Sequence, residues 1–163
     1  MKLRTPAPSK KPFPLPASSA PRRPVPVVRV FVFNEQGRLL LLKRANSAYG
    51  EGRWCLPGGK IDYLDTPEKA AARETKEETG IRLSGLEFLF YQSNLPMAPG
   101  LMHCLNFYFR ASGRGTVRIN EESAEFAWVK PKEAARYQLV FGGDKALKRL
   151  LKAVLRRQLK KLK

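Results

Sequence analysis

Residues 59–81 read GKIDYLDTPEKAAARETKEETGI, and the spacing of the charged residues in this stretch is the most informative feature of the chain. Its end gathers Arg73, Glu74, Glu77, Glu78 and Gly80 within eight positions. An α-helix advances by about 100° per residue, so Glu74, Glu77 and Glu78, at spacing i, i+3, i+4, project from one face. Like charges so placed weaken an isolated helix by about 0.2–0.5 kcal/mol per pair. A divalent cation turns that repulsion into binding, because carboxylate oxygens are natural ligands of Mg²⁺ and Mn²⁺. A solvated acidic face accounts for the glutamates alone and leaves the paired glycines, the arginine and the final glycine without a reason.

The flanking residues give the stretch a consistent local structure. Trp54-Cys55-Leu56 reads as a short apolar strand, and Pro57-Gly58-Gly59 as a tight loop with unusual backbone angles. Asp65 or Thr66 is placed to cap the helix, Pro67 suits its first turn, and Glu68 favours the positive end of its dipole. Ala70, Ala71 and Ala72 are strong helix formers, small enough for close packing on a sheet. Gly80 supplies a left-handed stop, and Ile81 opens the next apolar run.

These residues closely resemble the Nudix box: a glycine (Gly59), five residues, an acid (Asp65), seven residues, then Arg73-Glu74-Thr75-Lys76-Glu77-Glu78-Thr79-Gly80-Ile81. Two positions depart from the usual pattern. The first acid is commonly glutamate, and Asp65 is one methylene shorter. Thr75 fills an apolar position, where its methyl can still turn inward. The resemblance implies an α/β fold, a mixed β-sheet sandwiched between α-helices. It also implies a divalent-metal-dependent pyrophosphohydrolase with Mg²⁺ or Mn²⁺ as cofactor.

On that resemblance Glu77 and Glu78 match the principal metal-binding glutamates. Glu74 matches one that ligates metal or acts as base, and Arg73 matches the arginine that orients the helix carboxylates. Asp65 would ligate a further ion directly or through water, and Gly59 lets the backbone approach metal or phosphate. Outside the box, Glu121, Glu122 and Glu125 precede Phe126-Ala127-Trp128-Val129. Many relatives place an acid there as a base or additional ligand; Glu122 and Glu125 are the candidates. Tyr49 and Trp54 are aromatics able to stack a base, as are Phe107 and Tyr108, each weighed against an ordinary place in the core.

Composition bounds the rest. The chain of 163 residues suits one domain with its own core. No apolar run approaches the roughly 20 residues of a membrane helix, and the expected location is cytoplasmic. Cys55 and Cys104 are too few for a disulfide framework and read as buried free thiols; His103 reads as a strand residue.

The net charge of +17 is concentrated at the ends. Residues 1–33 hold seven basic side chains and no acid, and residues 145–163 hold nine and no acid. Residues 1–26, with eight prolines, read as a Pro-rich basic tail that buries too little apolar surface to order itself. Residues 27–144 read as the catalytic domain. Residues 145–163 read as a basic amphipathic helix, with Leu147, Leu150, Leu151, Val154, Leu155, Leu159 and Leu162 at helical spacing.

Within the domain, strands are expected over residues 27–33, 38–43, 86–91, 101–110, 116–119 and 126–129. The expected substrate is a nucleoside diphosphate linked to another group. Pro96, fifteen residues after Ile81, tilts this toward ADP-ribose or a nucleotide sugar, ahead of nucleoside triphosphates or 5′-triphosphorylated RNA. The alternative is a low-activity Nudix-fold module that binds RNA or the ribosome through its polycationic ends. A membrane role is disfavoured, and the resemblance permits a homodimer.

Overall fold

The computed structural model describes residues 23–47, 49–96 and 101–161, apart from the side chains of residues 157–159 and 161. Residues 1–22 of the tail expected over 1–26 and the last two residues of the expected basic helix lie outside the described residues. Val25 and Pro26, expected in the tail, instead open the first strand, paired with Cys104 and Leu105.

Strand β1 (Val25–Phe33) runs through the middle of the molecule with both faces buried. Val28, Val30 and Val32 enter a core that includes Ala70 and Ala71 of helix α1 (Pro67–Thr79), whereas Phe31 enters one that includes Ala146, Leu147 and Leu150 of helix α2 (Gly143–Lys161). Period-two alternation in an apolar strand thus yields a sheet with a helix against each face.

The remaining strands are β2 (Leu39–Arg44), β3 (Trp54–Cys55), β4 (Arg82–Asn94), β5 (Cys104–Arg114) and β6 (Ser123–Val129). Their order is β3-β2-β1-β5-β4, with β6 paired to β2. Among the described strands β1 and β5 pair in parallel, from Val25 opposite Cys104 to Phe33 opposite Ser112; the other strand pairs are antiparallel. The sheet is mixed, as expected.

Helix α1 starts and stops by the expected devices. Thr66, not Asp65, is the cap, its hydroxyl accepting from the Lys69 N–H, and Pro67 opens the first turn. Gly80 stops the helix at φ 71°, its N–H donating to the Lys76 carbonyl at 2.8 Å.

The structure corrects several details. Residues 116–119 form no strand: the Arg118 N–H donates to the Thr79 carbonyl at 2.8 Å, tying the segment to the end of α1. Val117 and Ile119 still pack against the core from this irregular segment. Strand β5 starts at Cys104, so His103 precedes it and meets the Ser93 hydroxyl at 2.8 Å. Cys55 is a buried free thiol, while Cys104 is free but only partly buried. No described helix is long and apolar enough to cross a membrane.

Helix α2 is two-sided only in its first half. Ala146, Leu147 and Leu150 are buried, whereas residues 152–156 and Lys160 are exposed, including Val154 and Leu155.

Candidate active site

The site is built where the loop Pro57-Gly58-Gly59 meets the acidic face of α1. Strand β1 holds the loop by its carbonyls: the Val30 N–H donates to Pro57 O at 2.9 Å and the Val28 N–H to Gly59 O at 2.8 Å. Gly58 between them has φ 132°, and a Cβ there would lie 2.2 Å from the Val28 carbonyl oxygen. Only glycine fits this approach.

Two glutamates sit under the two glycines. The Gly58 N–H donates to Glu78 Oε2 at 2.9 Å. A Cβ on Gly59 would come within 2.1 Å of Glu74 Oε2, so that carboxylate occupies the hollow left by the missing side chain. Burial pushes the Glu78 carboxyl up to about 7; the Gly58 N–H and the Arg29 charge oppose this, and the charges of Glu74 and Glu122 add to it. Burial also raises Glu74, against the pull of Arg73. Two carboxylates whose ionised forms are disfavoured, one on each glycine, are a natural seat for a cation.

Arg73 gathers the remaining acids. Its guanidinium lies 2.7 Å from Glu74, 2.9 Å from Asp62, 3.2 Å from Asp65 and 3.3 Å from Glu77, and it donates to the Lys60 carbonyl at 3.3 Å. Asp65 is therefore turned to Arg73, and Glu77 is the most solvent-facing of the three box glutamates, sharing Arg73 with Glu74. Asp62 joins this cluster although its spacing gave no signal. Among the described residues no three acidic groups form a closed metal cluster.

A divalent cation fits the residues present. Glu74 and Glu78 offer hard oxygen donors, the Gly59 hollow admits close approach, and Glu77 lies within reach of the same guanidinium.

The two candidates beyond the box separate. Glu122 lies close enough for its charge to raise the Glu78 carboxyl. Glu125 instead pairs with Lys43 at 3.1 Å, its side chain 55% exposed. The register of β2 against β6 shifts between Lys43 and Arg44, so Glu125 and Glu122 are not aimed by one regular strand.

The aromatic candidates also part company. Tyr49 lies 5.7 Å from the ring of Phe141, and the Arg44 guanidinium sits 4.8 Å from that same ring. Trp54 packs edge-on against Tyr137 at 5.0 Å, with Lys43 over its face. Tyr108 is fully buried in the core beside α2, and Phe107 packs, partly buried, against the core beside α1.

Arg29, buried in the middle of β1, also escaped the sequence reading. Its guanidinium donates to the Gly58 carbonyl and stacks 4.4 Å from the centre of Phe141. Its signal was a single charge inside an otherwise apolar strand, VPVVRVFVF.

The comparisons with known proteins agree with this geometry. The NUDIX domain family matches residues 23–150. A "MutT-like protein" of Streptomyces ambofaciens is 39% identical over 119 residues, 73% of this chain and 71% of that protein. "Nucleoside triphosphatase NudI" of Escherichia fergusonii is 30% identical over 126 residues, covering 71% and 89%. Among solved structures, a MutT NUDIX hydrolase from Burkholderia pseudomallei superposes with a TM-score of 0.69 at 29% identity, over 77% of this chain and 97% of that one. A mixed sheet between two helices, with a glycine loop seated on helix glutamates, defines the class. The chain belongs to the Nudix family and is a Nudix hydrolase, acting on phosphoanhydride bonds. Nudix hydrolases generally need a divalent metal ion.

Proposed function

We propose that this Nudix hydrolase cleaves nucleoside triphosphates to a nucleoside monophosphate and pyrophosphate, using Mg²⁺ or Mn²⁺. The observation that carries the reading is the seating of Glu78 and Glu74 on consecutive glycines of one loop. The name of the NudI relative moves the preferred substrate from ADP-ribose or a nucleotide sugar to a nucleoside triphosphate. Pro96 alone is too ordinary for an exposed loop to outweigh it.

Glu74, Glu77 and Glu78 would hold the metal, with Asp65 kept on Arg73. When bound, the metal neutralises the negative diphosphate, orients it and lowers the pKa of water. Arg73 keeps Glu74 and Glu77 from turning away. Glu125 is engaged by Lys43, which leaves Glu122 as the candidate beyond the box to take a proton from the attacking water. Tyr49, packed against the Phe141 ring on which Arg44 also lies, is the aromatic candidate retained for stacking a base.

The test is release of monophosphate by wild type and Glu78→Gln with Mg²⁺ or Mn²⁺. The panel comprises nucleoside triphosphates, ADP-ribose, nucleotide sugars and 5′-triphosphorylated RNA. Turnover of nucleoside triphosphates that the variant loses supports the reading; turnover confined to another class replaces the substrate.

A second reading rests on the exposed half of α2. From Lys152 the described helix carries basic and apolar side chains into solvent with no acid among them, a surface suited to the phosphate backbone of RNA. Binding of single-stranded RNA that weakens steeply with salt, and is lost on Lys152→Gln/Arg156→Gln/Lys160→Gln, would support it.

A further inference from the structure

We infer that Arg29 is a positioning residue for hydrolysis: by gripping the Gly58 carbonyl it fixes the glycine loop on which Glu78 and Glu74 are seated. This rests on the reading of those glutamates as the metal-holding pair.

The loop's three carbonyls are treated differently. The backbone of β1 takes those of Pro57 and Gly59, through Val30 and Val28. The intervening Gly58 carbonyl accepts the Arg29 side chain, which projects from the residue between those two donors. On the other side of the same α-carbon, the Gly58 N–H is committed to Glu78. At φ 132° and without a side chain, Gly58 has little of its own to fix the angle between the two peptide planes. Arg29 and Glu78 therefore set it from opposite ends. No peptide bond is cis, so holding the Gly58 carbonyl also aims the Gly59 N–H in the opposite direction, away from Arg29.

Arg29 is itself held in place. Phe141 lies beneath its guanidinium at φ 58°, an unusual backbone angle for a bulky residue. That angle is maintained through the Phe141 carbonyl, which accepts from the Asn94 amide and, at 3.3 Å, from the Tyr108 hydroxyl. Gln92 bonds the next carbonyl, Gly142, at 3.3 Å. The segment leading into α2 is thus tied through Arg29 to the catalytic loop.

The fold alone gives little reason for this arrangement. Arg29 is only 9% exposed, and its Nε is buried without a hydrogen-bond partner. An unpartnered donor on a buried charge opposes folding, and an apolar side chain of similar length often serves stability as well or better. A group kept at such a cost, whose one hydrogen bond among the described residues is to the Gly58 carbonyl, is explained by what that carbonyl positions.

The test compares wild type, Arg29→Met, Arg29→Lys and Phe141→Leu. Three quantities are read: hydrogen exchange of the Gly58 amide in the metal-free protein, kcat against KM for the substrate the panel identifies, and Tm. The expected result for Arg29→Met is a Tm within about 4 °C of wild type, Gly58 exchange at least about ten-fold faster, and kcat lowered about a hundred-fold with KM little changed. Arg29→Lys should recover part of both losses, and Phe141→Leu should show the same pattern more weakly.

Unchanged Gly58 exchange overturns the inference whatever kcat does, because a kcat loss alone would trace to the Arg29 charge acting on Glu78; so does a raised KM at wild-type kcat, which would make Arg29 a substrate contact. If Arg29→Met does not fold, Arg29→Lys and Phe141→Leu decide by the same readouts. The exchange measurement needs no substrate, so a panel with no turnover would sink the proposed function while leaving the positioning of Gly58 independently decided.

Discussion

Two arginines flank the glycine loop and work in opposite ways. Arg73 is on the acid side, 30% exposed, and divides its guanidinium among Asp62, Asp65, Glu74 and Glu77. Arg29 is on the sheet side, buried, with one backbone carbonyl and one aromatic ring. Arg73 manages charge and is screened by water and salt; Arg29 orients the loop from a buried position, where its charge also acts on Glu78 with less screening. The comparison teaches that the same side chain organises a site either by neutralising its acids or by orienting its backbone, and burial decides which.

The sharpest way to break the comparison is at the point both sides share. Gly58→Ala places a Cβ against the Val28 carbonyl at a φ that alanine avoids. A loss of about 3 kcal/mol or more is expected, read by chemical denaturation. Gly59→Ala meets only the flexible end of Glu74, so it should remain folded and lose turnover instead.

The acid side should respond to pH. The Glu78 carboxyl rises from 4.5 to about 7 in the fold. A carboxyl raised by folding contributes stability fully below its ordinary value, and that stability is lost as pH rises through the folded value. Metal-free protein should therefore lose about 2–3 kcal/mol between pH 4.5 and 7.5. Saturating Mg²⁺ should restore stability at the upper end, where ionised Glu78 is able to bind it. Urea melts across that range, with and without metal, check both halves.

Arg73→Met should cost about 1 kcal/mol near neutral pH, because its partners are partly exposed. Added salt should reduce that loss by screening the mutual repulsion of the freed carboxylates, whereas the effects of Arg29→Met should be insensitive to salt. The smallest expected effect is at Thr75, fully buried with a hydroxyl that has no partner. Thr75→Val removes that orphan without changing shape and should stabilise by up to about 1 kcal/mol with turnover unchanged.

The acid side was legible in the sequence because a helix converts spacing into a face: Arg73, Glu74, Glu77 and Glu78 fall together by rotation, and Gly59 was joined to them by the resemblance to the Nudix box. The sheet side was not, because strand neighbours come from distant segments. Arg29 meets Phe141 only through long-range packing, and its charge was grouped with the basic tail that precedes it. Residues 116–119 read as a strand because Thr, Val and Ile suit one, yet their backbone is claimed by the end of α1 through Arg118. Spacing left Glu122 and Glu125 equal; the bulged register opposite Lys43 and Arg44 distinguishes them.

The parallel pairing of β1 with β5 has a consequence for the order in which the enzyme comes into being. During synthesis β1, the glycine loop and α1 all emerge before β5, which joins β1 along its whole length. Helix α1 is assembled from local contacts and forms early, with its acids already in place. The strand that anchors the loop waits for a partner made much later, and non-local pairing of this kind is the slow part of folding. A nascent chain arrested between α1 and β5 would carry every residue of the recognisable motif and still lack a working catalyst.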